Sequence, residues 1–482
     1  MATLTQTLPR RTLLNTAAIF GGEAVSRVAT AVMALLVARR FGAGALGQYG
    51  YALSLASVLV LVPDFGLHLL TTRNLAAQPG LLPRTFWNLH WLKLPLVLWV
   101  VLFTVGFGEW TVHDDGRQLF LYVLVARAVL QTFSLAYMAV FKAFEQMQYI
   151  ALVQFANAFL VIACAGAALG FKLGPPLVVA SFLVGQAAET WLSWRILHRQ
   201  FPPGEYTGWD SRFLRGMIAA AAPIGLTAML QALNLRLDVL ILGIFTPNEG
   251  LGRFQAAAWF VIGTFLCASL LMAVLFPRLS RLLQTPSARG NATVESLLKH
   301  CFLFTTLGSL AVWLVAPHLL RWTFGRSLAP AADLLRILAP ALPFVFINTV
   351  LFYVFVAARR RSAYLGTLAL GLVVSIALGF LLAPRLGAAG SAIADLVREV
   401  VMTASFLYFL YREELAPATG KSLLMLLLGA SVLCLPLVGW AGISGHWESW
   451  PAAWNLLVLA GTLILLGLPR RGELLLLVDE EL

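Results

Sequence analysis

Charged side chains at an i, i+4 spacing lie inside the first long apolar segment, in `GGEAVSRVAT` (21–30). At that spacing Glu23 and Arg27 share one face of a helix, and Ser26 and Thr30 lie close to it. A charge at bilayer depth costs at least about 2.5–3.5 kcal/mol on insertion scales, so it needs a partner or a water-filled cavity. The stripe is either an ion pair that packs the helix or a cavity wall. We favour a cavity wall, in which Arg27 would bind an anion such as phosphate bidentately.

Further polar residues could line the same cavity. `QALNLRLDVLIL` (231–242) places Asn234 and Asp238 on one helical face and Arg236 roughly opposite, although hydrogen bonds between helices would explain this pattern equally well. Arg127 lies well inside its apolar segment with no local partner. The predicted substrate-binding residues are Glu23, Arg27, Arg127, Asn234, Arg236 and Arg398.

Three intramembrane carboxylates form a second group of candidates. Asp64, Asp238 and Asp395 are predicted to take part in coupling or gating, because a protonatable carboxylate in a membrane can link transport to a proton or sodium gradient. For Asp64, two interpretations are equally favoured: a role in coupling, or an ion pair with a basic neighbour that fixes the geometry of the fold. Lys93 could reach the membrane surface along its flexible stem.

Two short motifs match signatures of other protein classes, but their sequence surroundings do not fit those classes. Asp64–Gly66 spell DFG, but no other kinase motif accompanies them. `GAGALG` (42–47) matches a dinucleotide fingerprint, yet it follows a membrane helix and indicates a tight helix–helix turn. With no Walker motif, HExxH or triad spacing, we predict no catalytic residues, no metal and no cofactor, and therefore no enzyme.

Composition identifies the elements that must position these residues. The 482 residues are 60% hydrophobic and 12% charged, about half the charged fraction of a soluble protein. We therefore predict an all-α, polytopic membrane protein. Apolar windows long enough to span a bilayer, about 20 residues each, number about 14 and fall near 13–39, 45–70, 86–107, 119–142, 147–170, 175–198, 213–245, 251–279, 297–317, 331–357, 362–384, 388–411, 421–441 and 452–469.

Loop charges predict the orientation. With the N-terminus inside, about 20 Lys and Arg residues fall in cytoplasmic loops and about 9 outside, so both termini are predicted to be cytoplasmic. The net charge of +12 then reflects basic cytoplasmic loops, with no nucleic acid as partner. No loop is long enough for a soluble domain, which disfavours a membrane glycan ligase or polymerase.

An internal repeat predicts two lobes. `LLVARRFGAGALGQYGYA` (35–52) aligns without gaps with `LILGIFTPNEGLGRFQAA` (240–257), six predicted helices later and in the same orientation. We expect two six-helix lobes around a central cavity. The predicted divisions are an N-terminal lobe at 1–198, a cytoplasmic linker at 199–212, a C-terminal lobe at 213–411 and two additional helices within 421–469.

The order of short motifs in the first two helices resembles a known family. These motifs are Ser26-Arg27, Arg39 to Gly42, Gly47 to Tyr49, Asp64 to Leu67, and Arg73, and `LRLDVLILGIF`, `LGRF` and `LFPRLSRL` follow in the second half. Together they are similar to bacterial polysaccharide transporters, the oligosaccharide-lipid flippases of the multidrug/oligosaccharidyl-lipid/polysaccharide exporter superfamily. The resemblance covers about the first 12 helices. We expect helix 2 to bend at Asp64 and Gly66, in a structural and gating segment.

The resemblance implies alternating access and movement of an isoprenyl-diphosphate-linked oligosaccharide repeat unit from the inner to the outer leaflet. It would serve export of exopolysaccharide, capsule or O-antigen from a bacterial inner membrane. The family carries cationic cavity residues for the diphosphate, and Arg27 is the best match by position. Implied partners are the lipid-linked oligosaccharide, membrane lipids, a proton or sodium ion, and a polysaccharide polymerase with its export machinery; a monomer is expected. A lipid II flippase and a drug/cation antiporter are the alternatives.

Overall fold

The computed structural model describes residues 8–111, 115–204, 208–284 and 287–415, with side chains from Gly21 onward except at 23, 24 and 109–115. The two additional helices predicted within 421–469, and both termini, lie outside these ranges. The described part of the chain is helical and contains no strand. It is a polytopic, all-α membrane fold.

The helices in the first half are α1 (Leu8–Leu59), α2 (Leu61–Asp64), α3 (Leu67–Ala77), α4 (Leu82–Thr111), α5 (Asp115–Ala143), α6 (Met147–Gly170), α7 (Pro175–Val179) and α8 (Ser181–Gln200). Those in the second half are α9 (Ser211–Phe245), α10 (Asn248–Leu282), α11 (Ala288–Thr323), α12 (Ala332–Leu338), α13 (Leu342–Ala357) and α14 (Arg361–Arg412). All twelve helices that the sequence predicts up to residue 411 have a counterpart.

Glycines divide the two longest helices. In α1 the backbone leaves the helical conformation at Gly42 (φ 82°), and in α14 it does so at Gly387 (φ 57°). Helix α14 therefore holds two predicted spans, and α1 holds the first predicted span and the start of the second. The turn expected at `GAGALG` is confirmed at Gly42. Such positive φ angles suit glycine, which has no Cβ to clash.

Residues with left-handed backbone conformation also repeat between the two halves. Glu145 follows α5 with φ 58°, and Arg359 follows α13 with φ 59°. Lys172 follows α6 with φ 57°, and Gly387 has the same φ at the corresponding break in α14. The connections after helices 4 and 5 of the first half thus recur after helices 10 and 11, which supports the internal repeat.

The chain divides into two units, Met1–Arg236 and Leu237–Leu482. The sequence-based division placed all of the seventh helix, α9, in the second lobe, whereas here its first part belongs with unit 1. Apolar packing explains the difference, because Met217 and Ala221 of α9 lie in one buried cluster with Leu67, Leu70 and Leu89.

The predicted linker at 199–212, which leads into α9, is held by hydrogen bonds and an ion pair. Asp210 caps this helix by accepting a hydrogen bond from the Phe213 backbone N–H at 2.9 Å. Its other carboxylate oxygen pairs with Arg84 of α4, and its backbone N–H donates to the Asn88 side chain at 2.9 Å. Trp87 donates to the Gly204 carbonyl at 2.9 Å. The linker is therefore fixed to the start of α4 within unit 1.

Unit 2 is built around α13. This helix, `LPFVFINTVLFYVFVA`, is apolar on nearly every side and most of its residues are buried. A helix that is hydrophobic all round belongs in the centre of a bundle, and α13 accordingly packs against α10, α11 and α14.

Candidate functional site

Two predicted cavity arginines converge on one tyrosine within unit 1. Arg127 of α5 and Arg236 of α9 both interact electrostatically with the Tyr49 hydroxyl of α1. The Tyr49 hydroxyl, Arg127 Nε and Arg236 Nη1 are buried and have no hydrogen-bond partner among the described residues. Because buried polar atoms are nearly always hydrogen-bonded, this group, which we call the arginine–tyrosine site, has donors left over for an anion or ordered water.

Aromatic stacking positions the arginine–tyrosine site. The Arg127 guanidinium carbon lies 5.1 Å from the centre of the Phe182 ring. Phe182 in turn stacks on Tyr49, with ring centres 6.3 Å apart and planes 6° from parallel. A guanidinium over an aromatic face is held by cation–π attraction. Tyr49 was not a predicted site residue, although its Gly-x-Tyr motif was recognised.

A buried glutamate balances part of this charge. Glu189 of α8 interacts electrostatically with Arg127. Its carboxylate accepts hydrogen bonds from Ser134 at 2.8 Å, Asn157 at 2.6 Å and Gln186 at 2.9 Å. Glu189 thus interacts with Arg127, whereas Arg236 interacts electrostatically with Tyr49.

Asp64 lies in a second buried cluster of unit 1. Lys93 Nζ is 3.4 Å from Asp64 Oδ1 and donates to the Thr132 carbonyl oxygen at 2.7 Å. His68 Nδ1 is 2.5 Å from Asp64 Oδ2. Asp64 and Lys93 are each only 1% exposed, so Lys93 does not reach the membrane surface as its stem would allow. This geometry favours the ion-pair interpretation of Asp64.

The predicted bend of helix 2 is confirmed at the next two residues. Phe65 (φ 36°) and Gly66 (φ 77°) both adopt left-handed backbone conformations and separate α2 from α3. A Cβ on Gly66 would lie 2.8 Å from the backbone nitrogen of Gly225 in α9. The glycine is therefore required both by its φ angle and by close helix packing.

In unit 2, one arginine binds three carboxylates. Arg398 Nη1 lies 2.5 Å from Asp238 Oδ2, and Nη2 lies 2.8 Å from Glu399 Oε1 and also pairs with Asp395. All four residues are buried. We call them the carboxylate cluster. It brings together the predicted residues Asp238, Asp395 and Arg398, and it adds Glu399.

Hydrogen bonds from neighbouring helices fix the carboxylate cluster. Ser375 donates to Asp238 Oδ1 at 2.8 Å, and Asn348 of α13 donates to Glu399 Oε2 at 2.7 Å. Thr403 donates to the Asn348 side-chain oxygen at 2.8 Å. Because both terminal nitrogens of Arg398 already bind carboxylates, its geometry disfavours the predicted role as a substrate ligand in this conformation.

Three predicted site residues remain, Arg27, Glu23 and Asn234. Arg27 is exposed on α1. The Glu23 side chain falls outside the described residues, so the Glu23–Arg27 pair stays a prediction. Asn234 is 7% exposed and donates to the Leu230 carbonyl of its own helix at 2.8 Å.

Comparison with protein families identifies the class. Residues 12–283, more than half of the chain, match the family described as polysaccharide biosynthesis protein. The chain belongs to this family. No curated protein sequence matches it.

Solved structures show the same fold. A lipid II flippase MurJ in an inward closed conformation has a TM-score of 0.67 at 15% identity, with 94% of this chain and 98% of that chain covered. An inward-facing multidrug resistance MATE family transporter of the MOP superfamily has a TM-score of 0.63 at 15% identity, with 81% of this chain and 95% of that chain covered. A third structure is a MOP superfamily transporter from Pyrococcus furiosus, described as having a binding pocket of reversed polarity. Its TM-score is 0.54 at 13% identity, with 83% of this chain and 95% of that chain covered.

The fold, family and apolar helices together define a multi-pass, all-α membrane protein of the polysaccharide biosynthesis protein family. Among the described residues, nine continuous helical stretches are long and apolar enough to cross a membrane.

Proposed function

We propose that this protein is a flippase that moves an isoprenyl-diphosphate-linked oligosaccharide repeat unit from the inner to the outer leaflet by alternating access. The observation that carries the proposal is the arginine–tyrosine site, where Arg127 Nε, Arg236 Nη1 and the Tyr49 hydroxyl are buried without partners among the described residues. Arg27 is a further proposed ligand. Export of exopolysaccharide, capsule or O-antigen would follow.

The chemistry of the substrate matches the site. A diphosphate cannot cross hydrocarbon by itself, because burying its unpaired charge would be prohibitively costly. Guanidinium groups stay charged and offer planar arrays of donors to phosphate oxygens. The site would shield the diphosphate while the isoprenyl tail stays in the bilayer.

Charge balance in unit 2 supports coupling to a proton gradient. Arg398 contributes one positive charge to the carboxylate cluster, and Asp238, Asp395 and Glu399 can contribute three negative charges. Two uncompensated charges in a buried site would be costly. We therefore propose that the cluster holds at least one proton, whose release would bias the transporter between conformations; a sodium ion is the alternative.

Two alternative substrates are supported by specific observations. A lipid II flippase shares the fold over 94% of this chain, and lipid II would present the same diphosphate to Arg127 and Arg236. A multidrug resistance MATE family transporter shares the fold over 81% of the chain, and the corresponding alternative for this protein is a drug/cation antiporter. A cationic drug, however, would be repelled by the two arginines of the arginine–tyrosine site.

The cellular setting is part of the proposal. The positive loop charges favour an orientation with both termini cytoplasmic. The bacterial inner membrane is the location that the proposed flippase activity implies. A polysaccharide polymerase and its export machinery would then receive the flipped unit. We propose that the protein works as a monomer.

Complementation tests the proposal. In cells that lack their own polysaccharide flippase, lipid-linked repeat units are retained on the inner leaflet, and the intact protein should clear them. The Arg127→Ala and Arg236→Ala variants should fail to clear the repeat units. The control Arg195→Ala should clear them, because Arg195 is exposed and lies over Trp191. Equal clearance by all variants would contradict the assigned site. Drug resistance without clearance would support the antiporter.

A further inference from the structure

An open pocket of about 780 Å³ lies in unit 2 where several helix ends meet. It is bordered by the end of α10, the start of α11, the turn between α13 and α14, and the end of α14. Its polar lining consists of Gln284, Ser287, Asn291, Arg359, Arg360, Arg412, Glu413 and Glu414. This pocket is separate from the carboxylate cluster.

Two of its arginines have no carboxylate partner. Arg360 Nη1 lies 3.1 Å from Glu413 Oε2, but Arg359 and Arg412 form no ion pair with any residue that the structure describes. Both are exposed at the pocket. Two free guanidinium groups, each with several donors, are suited to the oxygens of one phosphate.

The backbone of the pocket is strained. Arg359 (φ 59°) and Glu414 (φ 55°) both hold left-handed conformations that glycine would adopt more easily. Asn291 donates to the Glu414 carbonyl at 2.9 Å and so fixes the end of α14 against α11. These left-handed residues end α13 and α14 and so set the positions of the side chains at the pocket.

The location points to a lipid headgroup. The ends of membrane-spanning helices lie at the level of headgroups, and the charge distribution of the sequence predicts that Arg359 is cytoplasmic. Basic pockets between helices on that side bind anionic headgroups. We propose that this pocket binds the phosphate of an anionic phospholipid through Arg359 and Arg412. The inference does not depend on the transported substrate.

Thermal unfolding of the purified full-length protein in neutral detergent tests the site. Short-chain phosphatidylglycerol should raise the melting temperature, and phosphatidylcholine with the same chains should not. In Arg359→Gly and Arg412→Gln, the phosphatidylglycerol concentration for a half-maximal shift should rise at least about tenfold. Glycine at 359 keeps the left-handed backbone, so this variant should fold.

Arg361→Gln is the matched control, because Arg361 is exposed next to the pocket but does not line it. Unchanged lipid response in both pocket variants, or an equal loss in the control, would overturn the proposal. An equal shift with inorganic phosphate alone would overturn the lipid as its source. Native mass spectrometry of the intact protein gives a second readout, and the absence of retained phosphatidylglycerol would also contradict it.

Discussion

Gly66 and Gly225 approach so closely that a Cβ on Gly66 would lie 2.8 Å from the Gly225 backbone nitrogen. A Cβ on Gly225 would in turn clash with the carbonyl oxygen of Phe65. The break in helix 2 is thus seated directly against α9, which leads from the linker into the second half of the chain.

Gly225→Ala should lower the stability of the protein by about 1–3 kcal/mol, the usual cost of overpacking a tight contact. The measurement is thermal unfolding in detergent. Gly216→Ala on the same helix is the control, because a Cβ there would meet nothing within 4 Å. If both variants melted at the same temperature, the close contact would not exist.

Removing one member of the buried Asp64–Lys93 pair should be more harmful than removing both. Lys93→Met should cost about 3–5 kcal/mol, because it leaves a buried carboxylate without its ammonium partner. Adding Asp64→Asn should restore most of that loss. Melting temperatures of the two single variants and the double variant test this, and strictly additive losses would contradict the pairing.

The carboxylate cluster should respond differently to loss of its positive and its negative charge. Arg398→Met leaves three carboxylates unbalanced and should destabilise the protein by about 3–5 kcal/mol. Asp395→Asn resembles a protonated carboxyl, so the fold should survive while transport loses its response to an applied pH gradient. Flux with and without the gradient is the readout, and an unchanged response would remove Asp395 from coupling.

The linker should contribute a pH-dependent share of stability. Hydrogen bonds from the Phe213 N–H and from Arg84 lower the pKa of Asp210 below its ordinary value of 3.8. A lowered pKa means that the stabilisation is fully present above about pH 4 and is lost as the pH falls through the folded-state pKa. The melting-temperature difference between the intact protein and Asp210→Asn should therefore be largest near neutral pH and shrink in acid. A constant difference would contradict this role.

The helices and their breaks could be predicted from sequence because they depend on local patterns. Continuous apolar runs identified the spans, and glycines identified the breaks at Gly42 and Gly66. The partners of buried charges could not be predicted, because Lys93 meets Asp64 only through the rotation and depth of α4 against helix 2. Arg398 similarly has two partners on its own helix, Asp395 and Glu399, and a third, Asp238, that comes from α9.

All of the predicted site residues except Asn234 are charged side chains that are costly to bury in a membrane. Arg127 and Arg236 attract attention because a charge in a membrane requires a reason. Tyr49 does not, since a tyrosine in an apolar helix is unremarkable until its hydroxyl is found unpartnered. The division of the chain within α9 also depends on packing, here of Met217 and Ala221, that an apolar run does not specify.

Transport by purified protein in liposomes tests the central claim most directly. Vesicles would carry, in separate preparations, an isoprenyl-diphosphate-linked oligosaccharide, lipid II or a fluorescent cationic drug, and appearance of each in the opposite leaflet or lumen would be measured. We predict movement of the diphosphate-linked oligosaccharide by the intact protein and by Arg195→Ala, and its loss in the double variant Arg127→Ala/Arg236→Ala. Movement of the drug alone, or undiminished oligosaccharide movement in the double variant, would contradict the account.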